Sequence, residues 1–252
     1  MQKYRHIIFD ADHTLIEFSK DERRALKASI ADMPLVKAGN GLSTADMPLS
    51  DIPPAEGQVT ARLQAYSTRN WTQLGLDEVN DPVIQQRYHA LTYEHVHALI
   101  KYAAQECALQ DAEAAERIFF QTLCLPAHPC KGALELIKAL AEGYTLSVAT
   151  NGLATMQRAR LKEFIPYFRH LFISEEMGII KPAEEFGKIM LNTLQAKAEE
   201  CLFVGDSLTS DIALANKMGM DAVWVNPEGR PIPEDVKIKG QIKTLDELYK
   251  YL

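Results

Sequence analysis

Asp10 and Asp12 stand two residues apart, directly after the apolar run Ile7-Ile8-Phe9. A strand places residues i and i+2 on the same side. An extended backbone past Phe9 therefore carries both carboxylates to one spot beyond the strand's carboxyl end. Like charges held that close repel and perturb each other's pKa. A fold tolerates this when a cation bridges them, or when one carboxyl is kept protonated for acid work. For this stretch alone the plainer reading is an Asp-rich turn, since Asp and His are ordinary turn residues. The same placement recurs, however. Thr150, Asn151 and Gly152 follow the run Tyr144 to Ala149, and Gly205, Asp206 and Ser207 follow Cys201 to Val204. Lys181 stands just before a helix, and Asp211 opens another.

Each of these groups alone reads as a turn or a helix start. Polar groups that repeatedly fall on strand ends are hard to explain by turn chemistry. Three acids, one amine and several small donors suit a divalent cation plus a phosphate. Mg²⁺ prefers hard oxygen ligands and keeps several waters. A phosphoryl group needs a cation, a lysine and hydroxyl or N–H donors for its oxygens. Gly152 and Gly205 allow the backbone to approach a ligand closely.

The elements that position these residues alternate from Cys130 onward. The pattern predicts a helix over 133–140, a strand over 144–149, a helix through 156–164 and a strand at 171–174. Further on it predicts a helix over 183–194 with Pro182 near its start, a strand at 201–204 and a helix from 211 to 218. A strand at 222–225 and a closing helix over 245–251 complete the chain. Strands alternating with helices imply a doubly wound parallel sheet. Such sheets bind ligands at the carboxyl ends of the strands, where the polar groups fall.

Residues 17–128 follow another pattern. Apolar residues recur at helical spacing over 21–30, 59–74, 83–104 and 111–123, with Asp111 as an N-cap and Pro82 at a helix start. The stretch 37–56, with Gly39, Gly41, Pro48, Pro53 and Pro54, reads as a loop. The chain thus divides into an α/β core of residues 1–16 and 129–252 and an inserted, all-helical block over 17–128. His89, His95 and His97 crowd that block, but their spacing spreads them over different helix faces. A half-exposed helix face explains them better than a metal.

Composition narrows the class. The chain has 252 residues, 47% hydrophobic and 24% charged, as expected of a globular protein. Its net charge of −7 argues against nucleic-acid polymers and anionic membranes as partners. No apolar run approaches the ~18 residues of a membrane span, and no signal-peptide pattern precedes the first strand. The four cysteines are scattered without a CxxC pair, so a reducing cytoplasm is the expected setting.

The set DADHT, TNG, KP and GDSLTSD, in this order, resembles the haloacid dehalogenase superfamily over nearly the whole chain, with residues 17–128 in place of its helical cap. ATNGLATMQRARL and ISEEMGIIKP are similar to the subgroup of 5'-nucleotidases acting on pyrimidine nucleoside monophosphates. The resemblance implies a Rossmann-like core and a phosphatase of small phosphorylated metabolites. Asp10 then matches the nucleophile that becomes an aspartyl-phosphate. Asp12 matches the general acid and base. Thr150, Asn151, Gly152 and Lys181 match the phosphate-binding positions. Asp10, the backbone carbonyl of Asp12, Asp206 and Asp211 match the Mg²⁺ site, with Asp211 as ligand or supporting acid. His13 departs from the commonest pattern, standing where glycine is frequent; its side chain could enter the substrate cleft or point to solvent.

Other readings stay open at this level. A sugar-phosphate phosphatase or a phosphomutase of the same superfamily is an alternative. A dehalogenase shares the nucleophile, but Asp12 argues against it, because ester cleavage needs an acid there. A non-catalytic phospho-acceptor shares the sheet and the Asp cluster; the helical insert and Asp12 argue against that. Discrimination among phosphate esters is expected from the insert, which in the family closes over the leaving group. Tyr66, Trp71 and Tyr88 could stack a flat base there, though for any single one packing within the insert is the simpler role.

Overall fold

The computed structural model describes residues 3–31, 56–107 and 109–252. In chain order the main elements are β1 (His6–Phe9), α1 (Phe18–Ala31), α2 (Glu56–Gln73), α3 (Pro82–Glu106), α4 (Ala112–Leu123), α5 (Ala133–Leu140), β2 (Thr145–Thr150), α6 (Ala154–Arg160), β3 (His170–Ile173), α7 (Ser174–Met177), α8 (Glu184–Leu194), β4 (Cys201–Gly205), α9 (Ala213–Met218), β5 (Asp221–Val225) and β6 (Gly240–Ile242). The loop expected over 37–56 lies outside the described residues, apart from Glu56 at the start of α2. The described residues form two compact units, one of Met1–Phe18, Glu78–His89 and Cys124–Leu252, the other of Ser19–Asp77 and Ala90–Leu123.

The first unit is built on a six-stranded parallel sheet in the order β3-β2-β1-β4-β5-β6. This is the doubly wound architecture expected from the alternation. The strands read as continuous apolar runs because both sheet faces are covered. Ile7 and Phe9 point into one buried cluster with Leu146, Val148, Leu202 and Val204. Ile8 points into the other, with Ala149, Phe203 and Trp224. Each of the Ile, Leu, Val and Phe side chains, fully removed from water, contributes roughly 1.5–3 kcal/mol.

Register fixes where the chemistry falls. Phe9 lies opposite Val148 on β2 and Val204 on β4. The chain therefore leaves β1 between two strands whose ends carry Thr150 and Asp206. The order reverses at β1, the usual crevice for a ligand in this topology.

All regular elements among the described residues of the second unit are helices. Along α3, Val96, Leu99, Ile100 and Ala103 are buried at helical spacing. Asp111 caps α4 as expected, accepting from the Ala114 N–H at 2.8 Å. Tyr66 stacks on Tyr102, ring centroids 4.2 Å apart, and Trp71 stands edge-on to His95 at 5.3 Å. These contacts use both aromatics inside the unit itself.

Several elements differ from expectation, among them α7, which takes Ser174 from the end of the strand expected at 171–174. β6, only three residues long, carries too short an apolar signal to be read from the sequence. Asp211 does not open a regular helix: residues Leu208–Ile212 form a π-helical turn before α9, a feature frequent at functional sites. No helix among the described residues is long and apolar enough to cross a membrane.

Candidate active site

Asp10 leaves β1 still paired, its N–H donating to the Val204 carbonyl at 2.8 Å. The residue is 6% exposed. Lys181, buried at 1%, sends Nζ to Asp10 Oδ1 at 2.7 Å, to Asp211 Oδ1 at 2.6 Å and to the Ala149 carbonyl at 2.6 Å. An ammonium has three donors and no acceptor, so all of its capacity is used. Asp211 Oδ2 also accepts from the Ser207 N–H at 3.0 Å. Asp206 stands beside this group, its carbonyl held by the Trp224 indole N–H at 2.8 Å.

One carboxylate oxygen from each of Asp10, Asp206 and Asp211 lies within 4.8 Å of the others. Three acids thus share a poorly hydrated place with one ammonium. Burial, then the nearby Asp211 carboxylate, push the Asp10 pKa well above the ordinary range, with Lys181 pulling the other way. Burial and Asp211 push Asp206 up to about 7. Burial works against the Lys181 ammonium, but Asp10 and Asp211 outweigh it and raise its pKa. Lys181 is therefore charged, whereas Asp10 and Asp206 resist ionising beside Asp211. A crowded set of hard-oxygen donors whose ionised forms repel one another fits a divalent cation of the Mg²⁺ type, which would favour those forms.

The phosphate-binding candidates are arranged around the same end of the sheet. Thr150 accepts from the Gln157 amide at 2.8 Å, which leaves its hydroxyl proton available to donate. Asn151 is committed elsewhere: its side chain donates to the Lys181 carbonyl at 3.0 Å and accepts from the Lys181 N–H at 2.8 Å. It braces the lysine. The Gly152 N–H donates to Ser174 Oγ at 3.0 Å, and Ser174 in turn meets His89 Nε2 at 2.8 Å. Gly152 leaves room for a side chain, since a Cβ there would lie 2.9 Å from Gln157 Nε2.

The Asp12 carboxylate is not part of the acid cluster. It faces Arg160 Nη1 at 2.7 Å and accepts from Gln157 Nε2 at 2.8 Å. His13 follows with φ 61, a left-handed conformation that glycine adopts without cost, which accounts for glycine being frequent at that position. The His13 ring is exposed and stands edge-on to Phe18 at 6.0 Å. The three crowded histidines diverge: His89 goes to Ser174, His95 to Ser67 and Asn70, and exposed His97 to Glu116. Sequence reasoning assigned nothing to Gln157, Arg160, Ser174 or Trp224. The available signal was the i, i+3 spacing of Gln157 and Arg160 inside a motif already singled out.

The sequence model of the haloacid dehalogenase-like hydrolases matches residues 4–219. The chain belongs to this family. It is 28% identical to the HAD-hydrolase YfnB of Bacillus subtilis over 256 residues, covering 100% of this chain and 97% of YfnB. It is 28% identical to the pyrimidine 5'-nucleotidase PynA of Streptococcus pneumoniae over 235 residues, covering 89% and 84% of the two chains. It is 40% identical to a glyceraldehyde 3-phosphate phosphatase of Methanocaldococcus jannaschii over 122 residues, 48% of this chain and 47% of that one. The crystal structure of YfnB bound to magnesium superposes with a TM-score of 0.72 at 25% identity, covering 99% of this chain and 98% of YfnB. This HAD-like hydrolase shares its fold with YfnB over nearly the whole of both chains.

Proposed function

We propose that this hydrolase is a Mg²⁺-dependent phosphatase of small phosphate monoesters, with nucleoside 5'-monophosphates as the leading substrate class. The observation that carries the reading is the buried Lys181 ammonium between Asp10 and Asp211, with Asp206 alongside. It supplies a nucleophile, a fixed positive charge and a set of oxygen ligands at one point.

Asp10 attacks phosphorus through a carboxylate oxygen, and the bond from phosphorus to the leaving oxygen breaks. Asp12 gives its proton to that oxygen, releasing the alcohol. Asp12 then takes a proton from water as the water oxygen attacks the aspartyl-phosphate. The Asp10–phosphorus bond breaks and Asp10 regains its carboxylate. Ester plus water becomes alcohol plus phosphate. The Thr150 hydroxyl donates to the phosphoryl oxygens; Lys181 balances Asp10 and turns a donor to a phosphoryl oxygen as Asp10 gives up its charge to the aspartyl-phosphate. Asp10, Asp206, Asp211 and the backbone carbonyl of Asp12 would hold Mg²⁺, which neutralises phosphoryl charge when bound.

Similarity to PynA supports the nucleotidase reading. The partial match to a glyceraldehyde 3-phosphate phosphatase favours a second one, a sugar or triose phosphate. We assign the choice between esters to the helical residues 17–128, because the core residues address only the phosphoryl group. A panel of nucleoside monophosphates, sugar phosphates and triose phosphates, read as released phosphate with and without Mg²⁺, tests the proposal. Phosphate release that requires Mg²⁺ and vanishes in Asp10→Asn is the expected result. Turnover that survives both chelation and Asp10→Asn overturns it.

A further inference from the structure

The Asp12 carboxylate is gripped from two sides by one short helix. Gln157 Nε2 donates to Asp12 Oδ2 at 2.8 Å, and Arg160 Nη1 lies 2.7 Å from Asp12 Oδ1. The two gripping side chains are themselves joined, since Arg160 Nη1 donates to Gln157 Oε1 at 3.0 Å. Gln157 Nε2 also donates to Thr150 Oγ1 at 2.8 Å. A primary amide has two N–H bonds. Here both are used, one on each of two residues placed in the candidate reaction.

The arrangement is built into the fold. Gln157 and Arg160 are each 2% exposed, and arginine is almost never that deeply buried without a partner. Their i, i+3 spacing on α6 puts them on one face. The Arg160 guanidinium lies over the Phe18 ring, 4.9 Å from its centroid, which fixes it from another side. Gly152 provides the space the Gln157 amide occupies, because a Cβ there would sit 2.9 Å from Gln157 Nε2. A glycine in the loop, a buried amide and a buried guanidinium thus converge on one carboxylate.

We infer that Gln157 and Arg160 are positioning residues that hold Asp12 in a single orientation and tie it to the Thr150 hydroxyl. The inference rests on the reading of Asp12 as the group that hands a proton to the leaving oxygen. The Asp12 side chain is 26% exposed, and its χ1 torsion has three staggered wells to choose from. Two opposed contacts, one per oxygen, select one well. Proton transfer requires the donor within hydrogen-bond reach of the leaving oxygen, and a misplacement of about 1 Å can cost roughly 100-fold in rate. Through Gln157 the phosphate-binding hydroxyl and the proton donor share one frame, so a phosphoryl group seated on Thr150 presents its leaving oxygen at a fixed offset from Asp12.

This role has a kinetic signature that a merely structural one lacks. An aryl phosphate leaves with little need of protonation, whereas an alkyl phosphate such as a nucleoside monophosphate needs it. Wild type, Arg160→Met, Arg160→Lys and Gln157→Leu are compared on both esters with Mg²⁺, alone and combined with Asp12→Asn. The expected result is a kcat loss of about 10–100-fold on the alkyl ester and under about 3-fold on the aryl ester. Arg160→Lys should recover part of the loss. In the Asp12→Asn background the same substitutions should add nothing further, as a shared pathway demands. If Arg160→Met does not fold, Gln157→Leu, close in volume, carries the same contrast. Equal losses on both esters, or losses that multiply in the Asp12→Asn background, overturn the inference while leaving the phosphatase reading intact. A wild type with no phosphatase activity overturns both.

Discussion

Gly205 lies directly beneath the Asp211 carboxylate: a Cβ on Gly205 would fall 2.3 Å from Asp211 Oδ2. β4 therefore ends in glycine because the chain must pass under a buried acid that returns from six residues further on. That acid holds Lys181 with one oxygen and the Ser207 N–H with the other. Gly205→Ala should push Asp211 aside and pull Lys181 with it. We expect a loss of about 1–3 kcal/mol in stability, the usual range for overpacking, together with a fall in phosphate release of at least about 10-fold. Urea titration and a phosphate assay measure the two. An unchanged variant in both would remove the Gly205–Asp211 contact from the account of the site.

Charge crowding at Asp10, Asp206 and Asp211 gives a second expectation. A cation that binds only the folded state stabilises it by about 2.7 kcal/mol at a hundred times its dissociation constant. For a chain of this size that corresponds to a rise in Tm of roughly 5–10 °C. Mg²⁺ should therefore raise the Tm of the wild type, and raise it much less in Asp206→Asn. Equal shifts in the two proteins would count against Asp206 as a ligand.

The helical unit carries its own pH dependence. His95 is buried between Ser67, Asn70 and Trp71, and burial lowers its pKa to about 4 from an ordinary 6.5. The folded state thus prefers the neutral imidazole. This contribution is fully present above pH 6.5 and is lost as pH falls from there toward 4, because the unfolded chain binds the proton first. Its size is on the order of 3 kcal/mol. Glu22, which accepts from Ser67 at 2.6 Å, works in the opposite sense, since burial raises its pKa. Asp10 and Asp206 also work in that opposite sense, so the expectation concerns the difference: between pH 4 and 7 the urea midpoint of the wild type should gain more with rising pH than that of His95→Gln. A His95→Gln slope equal to that of the wild type would show that His95 is not the group responsible.

How much of this was legible in the sequence follows from range. Ile7 to Phe9, Thr145 to Thr150 and Cys201 to Gly205 are local signals: short apolar runs closed by polar residues. Their repetition gives the parallel sheet and the edge on which Asp10, Thr150 and Asp206 meet. β6 is too short, and sits between Lys239 and Lys243, so no apolar pattern announces it. Asn151 falls in a strand-end turn and matches a phosphate-binding position by resemblance; the hydrogen bonds of its side chain to the Lys181 backbone depend on a residue thirty positions away. Gln157 and Arg160 lie in a stretch read from the sequence only as a helix, with no role assigned to either. Their burial depends on Asp12, 145 positions from Gln157, and on a ring at Phe18. No local pattern carries that.

Burial of Arg160 leads to the last prediction, which concerns stability rather than rate. A buried guanidinium facing a carboxylate is costly to disturb by removing one partner, typically by 3–5 kcal/mol, although replacing both can be neutral or stabilising. Asp12 keeps 26% of its side chain open to solvent, so water moderates the effect and about 1–3 kcal/mol is the fitting range. Asp12→Asn should therefore lower stability as well as turnover, by removing the negative charge that Arg160 faces. Arg160→Met alone should also lose stability, because it leaves the Asp12 oxygen without that guanidinium and Phe18 without its cation. The double variant Asp12→Asn/Arg160→Met should be more stable than the sum of the single losses predicts, by about 1 kcal/mol or more, while remaining as inactive on an alkyl ester as Asp12→Asn. Chemical denaturation of the four proteins closes the cycle. Strict additivity of the two losses would mean that the 2.7 Å pair contributes no coupling in solution.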